Sequence, residues 1–228
     1  PLMHQNRITI FSNFFWPEGA GADASTYAAV KILLREHFRV VVVSGTVTPS
    51  VDGLQGLQYF HWRWLEEKPK PLEWAGLFAN SGIIERFIEQ SDIVYIPSHS
   101  LIPLAIVARS IKPHARIVIH LHGYQPISYN AAVLPNSRRM SADQVLSELR
   151  DHNSVARAIV TGLLIPANYV NVLALMRADR IIFVSRRQME IIREHLPWIG
   201  NKAVMVHNIP PETHYAEKNP SDTPMFLY

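Results

Sequence analysis

Cysteine is missing from all 228 residues. Its absence excludes a disulfide framework and any thiolate metal site, and it suits a reducing compartment. Charge of one sign is scarce as well. The 22 basic and 19 acidic side chains leave a formal +3, too thin a cationic footprint for nucleic acid as a partner. No run of eighteen consecutive apolar residues occurs, so no spanning helix is expected. No basic segment followed by an apolar run and a small-residue cleavage site opens the chain, so no secretory leader is expected. These absences make a cytoplasmic protein the expectation. What is present, 48% hydrophobic and 18% charged residues, describes a folded domain with one large core.

Apolar runs and amphipathic stretches alternate along the chain. Residues 7–12 and the valine-rich 39–44 read as strands, the second apolar enough to be covered on both faces. Between them Ala28, Ala29, Ile32 and Leu33 form a helical stripe that starts near Ser25. Strands follow at 57–61, 92–96, 116–121, 178–184 and 202–206, with helices at 83–89, 101–110 and 188–195. The pattern predicts an α/β fold, a Rossmann-like, doubly wound, mostly parallel sheet of six or seven strands. Two stretches interrupt it. Residues 49–74 are rich in aromatics. Residues 123–176 exceed an ordinary connection and predict helices at 142–153 and 155–176, the second broken near Pro166. The apolar content of 155–176 fits a groove wall or interface, or a helix packed on the sheet. As an amphipathic stretch it also admits peripheral contact with a membrane.

In such sheets ligands meet the carboxyl ends of the strands, which directs attention to the residues that follow them. Gly19, Ala20 and Gly21 come between the first strand and first helix, where backbone amides can approach a phosphate or hydroxyl; a plain tight turn is the alternative. The dinucleotide fingerprint fails, because the second strand ends in Ser44-Gly45 rather than an acid. His120 and His122 close an internal strand on one face. His122 is placed to reach a substrate, with Gly123 and Tyr124 beside it, whereas His120 lies deeper as a buried, hydrogen-bonded partner. No third ligand for a metal is evident nearby. Ser98 and His99 end another strand, with Ser98 or Ser100 a candidate helix cap. Ser185 is expected to cap the next helix, while Arg186 and Arg187 either meet phosphate or are solvated. Asp92 and Asp179 read as turn-formers. There is no Gly-x-Ser-x-Gly elbow and no carboxylate pair, so hydrolase chemistry is disfavoured.

In order and spacing, several segments resemble the N-terminal half of a two-domain, GT-B-type glycosyltransferase of the retaining family 4 (group 1). They are Phe15-Trp16-Pro17-Glu18-Gly19-Ala20-Gly21-Ala22, the Val40-to-Ser44 strand, His120-Leu121-His122-Gly123, Ala178-Asp179-Arg180-Ile181-Ile182-Phe183-Val184-Ser185 and Val206-His207-Asn208. Phe226-Leu227-Tyr228 resembles the opening strand of a following domain. The resemblance implies an acceptor-side domain over 1–209, with linker and first strand of a truncated second domain at 210–228 and a hinge at His207 to Pro211. It implies that Gly19 and Gly21 line an interdomain cleft and that His122 contacts the donor sugar. A nucleotide-sugar would be the co-substrate, with no permanently bound cofactor and no metal. The acceptor would be a glycan, a lipid-linked molecule or a small molecule. The chain alone is expected to bind without turnover. It departs from the family in having Asp23, Ser25 and Thr26 where relatives carry an arginine, Ile209 after Asn208, and Asn168 and Asn171 near a usual glutamate. Two other readings stand beside it: a non-enzymatic α/β binding module, and another Rossmann-type sugar-nucleotide enzyme.

Overall fold

The computed structural model describes residues 6–66, 68–129 and 140–208. The expected linker and strand at 210–228, and Ile209 to Pro211 of the hinge, lie outside the described residues. Among these residues the strands are β1 (Arg7–Ser12), β2 (Arg39–Ser44), β3 (Leu57–His61), β4 (Ile93–Ile96), β5 (Arg116–Leu121), β6 (Arg180–Phe183) and β7 (Ala203–Met205). They make one sheet in the order β3-β2-β1-β4-β5-β6-β7, with every pair parallel. The fold is the doubly wound α/β sheet that the alternation predicts.

The valine run of β2 explains the layering. Val40 and Val42 join Ile8, Ile10, Phe15 and Val30 in one core; Val41 and Val43 join Phe11 and the residues of several helices in the other. Successive side chains point to opposite faces, so only a run apolar at every position can feed both cores. The helices are α1 (Gly21–Arg35), α2 (Lys70–Ala79), α3 (Ser81–Ile88), α4 (Leu104–Ile111), α5 (Met140–His152), α6 (Val155–Leu164), α7 (Tyr169–Arg177) and α8 (Arg186–His195).

Several sequence expectations change here. Helix α1 starts at Gly21, earlier than the apolar stripe suggests, because its first turn, Gly21 to Ala24, is not buried in the core and so adds nothing to the stripe. Helix α2, which the sequence pattern does not predict, begins inside the aromatic-rich stretch. Its start carries Pro69 and Pro71, whose fixed φ suits a first helical turn, and its Trp74 is buried with the indole N–H donating to Ser100 O at 2.8 Å. Asp92 and Asp179 tie strands together rather than only forming turns. Asp92 Oδ2 accepts from Arg7 N at 2.8 Å, and Asp179 Oδ2 accepts from Ile117 N at 2.7 Å. The helical stretch 155–176 is broken at Pro166 by a 3₁₀ turn (Ile165–Asn168). Although no unbroken apolar run exists, Val155–Arg177 is long and apolar enough to cross a membrane by length and composition, with mean hydropathy 1.7.

Candidate functional site

β1 lies between β2 and β4, so the connections leaving β1 and β4 run in opposite directions and open a crevice at the carboxyl ends of the strands. A cleft of ≈ 1170 Å³ occupies this place. Asn13 follows β1 into it, Ser98 and His99 follow β4, and His122 follows β5, while Gly19 and Ala20 reach it from the turn before α1. The start of α2 and one side of α6 form the walls. Of the residues singled out by sequence, Gly19, Ala20, Ser98, His99 and His122 line this one cleft; Gly21, Gly123, Tyr124, Ser185, Arg186 and Arg187 do not.

The Gly19 turn carries its own anion. Gly19 has φ +91°, and a Cβ there would collide with the Asp23 carboxylate. Asp23 Oδ2 accepts from Ala20 N at 2.8 Å, so that amide is already engaged. Burial pushes the Asp23 carboxyl up from its ordinary value, partly offset by the backbone hydrogen bonds. A carboxylate at this spot repels phosphate and welcomes hydroxyl groups. Ser25 and Thr26 turn inward: Ser25 Oγ donates to Asn208 Oδ1 at 3.3 Å and Thr26 Oγ1 donates to Ala22 O at 2.9 Å. Asn208 thereby brings the chain leaving β7 back to the first helix.

The His120 and His122 rings lie side by side, with centroids 4.2 Å apart and planes tilted by 37°. Burial raises the Tyr95 hydroxyl pKa and keeps it protonated. It lies 2.6 Å from His120 Nδ1, and with Tyr95 as donor the His120 proton is assigned to Nε2. The Nε2 atoms of His120 and His122 are both buried without a hydrogen-bond partner among the described residues. Burial, then the neighbouring His122, lowers His120 to about 3; burial, then His99, lowers His122 to about 4. Both rings are therefore neutral at pH 7, and a neutral imidazole can donate or accept a hydrogen bond without adding charge to the cleft. His99 is also lowered, by burial and then by Lys70.

These shifts predict a pH dependence. An unfolded histidine protonates near pH 6.5, whereas the folded pair resists protonation to much lower pH. Stability is then full above pH 6.5 and falls as pH drops toward 4, with a slope of up to about 1.4 kcal/mol per pH unit per ring. Urea midpoints across this range should show the decline, and His122→Asn should flatten it. An unchanged slope in the variant would contradict the assignment.

Several site residues carry no recognisable sequence signal. Asn13 Nδ2 donates to Leu65 O at 3.1 Å and to the Glu73 carboxylate, and Asn13 Oδ1 accepts from Ser100 Oγ at 2.7 Å. Gln188 Nε2 donates to Leu121 O and Gly123 O at 3.1 and 3.0 Å, clamping the backbone on both sides of His122. Lys70 Nζ donates to Tyr129 O and lies 4.7 Å from that ring's centroid. Arg157 Nε pairs with Glu148 Oε2 at 3.1 Å on the cleft wall. None could be ranked from its own neighbours in sequence.

Other expectations land elsewhere. Ser98 does not cap a helix with its side chain; its Oγ accepts from Asn13 N at 3.0 Å and lies 3.0 Å from Ser12 Oγ, joining the ends of β1 and β4. Ser185 Oγ accepts from Gln188 N at 3.2 Å, the expected cap of α8. Arg187 lies 3.6 Å from Glu190 on that helix. Tyr124 packs against the core. Asn168 Nδ2 donates to Pro126 O at 2.9 Å and Asn171 Nδ2 to Gln125 O at 3.3 Å, so both hold the turn after β5. Among the described residues no group of three or more His, Asp or Glu side chains is placed to hold a metal.

No protein-family model matches this chain, and no curated protein matches it significantly. Solved structures do. A UGT transferase from Siraitia grosvenorii in complex with UDP matches with TM-score 0.51 and 9% identity over 89% of this chain and 50% of that one. Os79 from O. sativa in complex with UDP matches with TM-score 0.50 and 10% identity over 89% and 52%. A glycosyltransferase from Rickettsia africae ESF-5 matches with TM-score 0.47 and 15% identity over 90% and 43%. The chain thus spans about half the length of these structures. At such identities the likeness is one of fold: an α/β Rossmann-like domain resembling the N-terminal half of GT-B enzymes.

Proposed function

We propose that this chain is the acceptor-side half of a nucleotide-sugar-dependent glycosyltransferase, of the retaining family 4 type, whose donor-binding half follows a hinge at Asn208. The domain would run over 1–209, with 210–228 entering the second domain. One observation carries the reading: the Gly19 turn and the neutral His122 ring open into the same cleft at the point where the strand order reverses. Glycosyl transfer breaks the anomeric bond to the diphosphate and forms one to an acceptor hydroxyl, whose proton leaves with a diphosphate oxygen. Positive charge develops at the anomeric carbon, so an uncharged hydrogen-bonding ring beside it is the suitable group. Asp23 favours an acceptor hydroxyl at the Gly19 turn and leaves the diphosphate to the second domain. The reading needs no bound cofactor and no metal, places the enzyme in the cytoplasm, and admits an acceptor drawn from a membrane.

Two structural relatives hold UDP, which makes UDP-sugars the first donors to try. Titrating the chain with glycans and UDP-sugars should shift resonances of Gly19, Ser98, His99 and His122, with no sustained donor consumption until a donor half is joined. Steady transfer by this chain alone, surviving His122→Ala, would refute the proposal. So would silence of the cleft toward every glycan and nucleotide-sugar, combined with binding of protein partners only.

A further inference from the structure

The start of α2 holds a lysine whose charge is unmatched. Lys70 is the first residue of that helix and follows Pro69, which brings no side-chain cap. A cation there opposes the positive end of the helix dipole. The side chain is only partly exposed. Burial pushes its ammonium down from the ordinary value, and the charge of Glu73 offsets only part of that. Among the described residues no carboxylate lies within ion-pair distance of Lys70. Glu73 is itself buried and accepts from the Asn13 amide. An ammonium carries three N–H donors. One goes to Tyr129 O, whose ring centroid lies 4.7 Å from Nζ, and two remain.

The other lysine and arginine that line the cleft are already engaged. Lys68 Nζ donates to Arg63 O and Glu66 O at 2.8 and 3.2 Å, and Arg157 pairs with Glu148. Unused polar atoms gather near Lys70 instead. Among the described residues His99, on the cleft wall, has no hydrogen-bond partner for either ring nitrogen, and His122 Nε2 has none. Burial and then Lys70 lower His99, while burial and then His99 lower His122. The three groups therefore lie close enough to sense one another's charge. A desolvated cation is costly until a partner replaces the lost water, and a cleft is where a ligand can be that partner. The Gly19 turn has the reverse sign, because the Asp23 carboxylate occupies it. A molecule with an oxyanion on one part and a hydroxyl on another matches this polarity.

We propose that Lys70 and His99 form a subsite for one oxyanion, a carboxylate or a phosphate monoester, carried by the acceptor whose hydroxyl faces the Gly19 turn. The acceptor is then an acidic or phosphorylated sugar or polyol. That the oxyanion belongs to an acceptor rests on the glycosyltransferase reading; the subsite itself does not. Lys70 supplies the charge and two N–H donors, and the neutral His99 ring supplies one more. Asp23 keeps the same oxyanion away from the Gly19 turn, so the two ends of the molecule are held in one orientation.

Titration of the chain with inorganic phosphate, glucose, glucuronic acid and glucose 6-phosphate, followed by resonance shifts, tests the subsite. The three anions should move Lys70, His99 and Tyr129. The better of the two charged sugars should bind at least about tenfold tighter than glucose, and it names the oxyanion. Lys70→Gln should abolish that advantage and Lys70→Arg should keep most of it. Equal affinity for charged and neutral sugars, no response of Lys70 to any of the anions, or an advantage that survives Lys70→Gln would overturn the proposal. UDP separates the acceptor from the donor: a loss of UDP affinity in Lys70→Gln would give the subsite to the diphosphate and overturn the acceptor assignment. With a donor half joined, transfer to neutral acceptors alone would keep the glycosyltransferase reading and overturn the subsite's role. A charged-sugar advantage that Lys70→Gln removes, with no transfer to any acceptor, would keep the subsite and remove that reading.

Discussion

On the proposed function, with a donor half joined, His122→Ala should lower sugar transfer by about 10²–10³-fold, the scale seen when one preorganised transition-state hydrogen bond is removed. The loss should fall on kcat more than on KM, because the interaction matters most when charge develops at the anomeric carbon. Two features of the site produce this expectation. The ring is neutral, being pushed down to about 4 by burial and then by His99, and Gln188 fixes the backbone on either side of it. Folding should survive, since His122 lines the cleft rather than the core. A kinetic comparison of wild type and variant at pH 7, with melting curves for both, checks the two halves together. A variant that folds and transfers sugar within a factor of about three of wild type would remove His122 from the chemistry.

Asn13→Ala should destabilise the domain by roughly 2–3 kcal/mol, the upper range for removing a buried hydrogen bond made to a charged group. Asn13 is 7% exposed and joins four segments of the chain, around Gly45, Leu65, Glu73 and Ser98 to Ser100. Its side chain bridges Leu65 O, the buried Glu73 carboxylate and the Ser100 hydroxyl. Its backbone N–H donates to Ser98 Oγ at 3.0 Å, and its carbonyl accepts from Gly45 N at 3.0 Å. Alanine keeps the backbone bonds but removes the amide donor that faces the buried Glu73 carboxylate. Asn13→Asp should be worse at neutral pH, since it sets two carboxylates against each other, and should recover partly on acidification. Urea unfolding at two pH values measures both; a cost below about 1 kcal/mol for Asn13→Ala would show that the network relaxes.

How far the site was readable from its residues depends on the range of the interaction concerned. Ser185 followed by a helix is a local signal, and its cap forms as expected. His120 deep in a strand and His122 at its end differ by two positions, and their burial differs as that spacing implies. The Gly19 turn was visible as a turn, yet its chemistry was not, because the partner that occupies the Ala20 amide is a side chain whose rotamer depends on the turn itself. Helix α2 was hidden by aromatic residues whose burial depends on distant partners, such as the Ser100 carbonyl that receives the Trp74 indole.

The alternation of apolar runs and stripes, with Val40 to Val43 feeding both faces, was enough to specify a doubly wound sheet and to put the candidate site residues at strand ends. Periodicity is a property of neighbours, and burying two faces at once leaves few arrangements. Tertiary contact alone decided which strand ends share a cleft and which polar residues knit it together. Asn13 meets partners 52, 60 and 87 positions away, and Gln188 holds carbonyls 67 and 65 positions back. Such pairings come from the order in which the strands assemble, and no local pattern of residues encodes them.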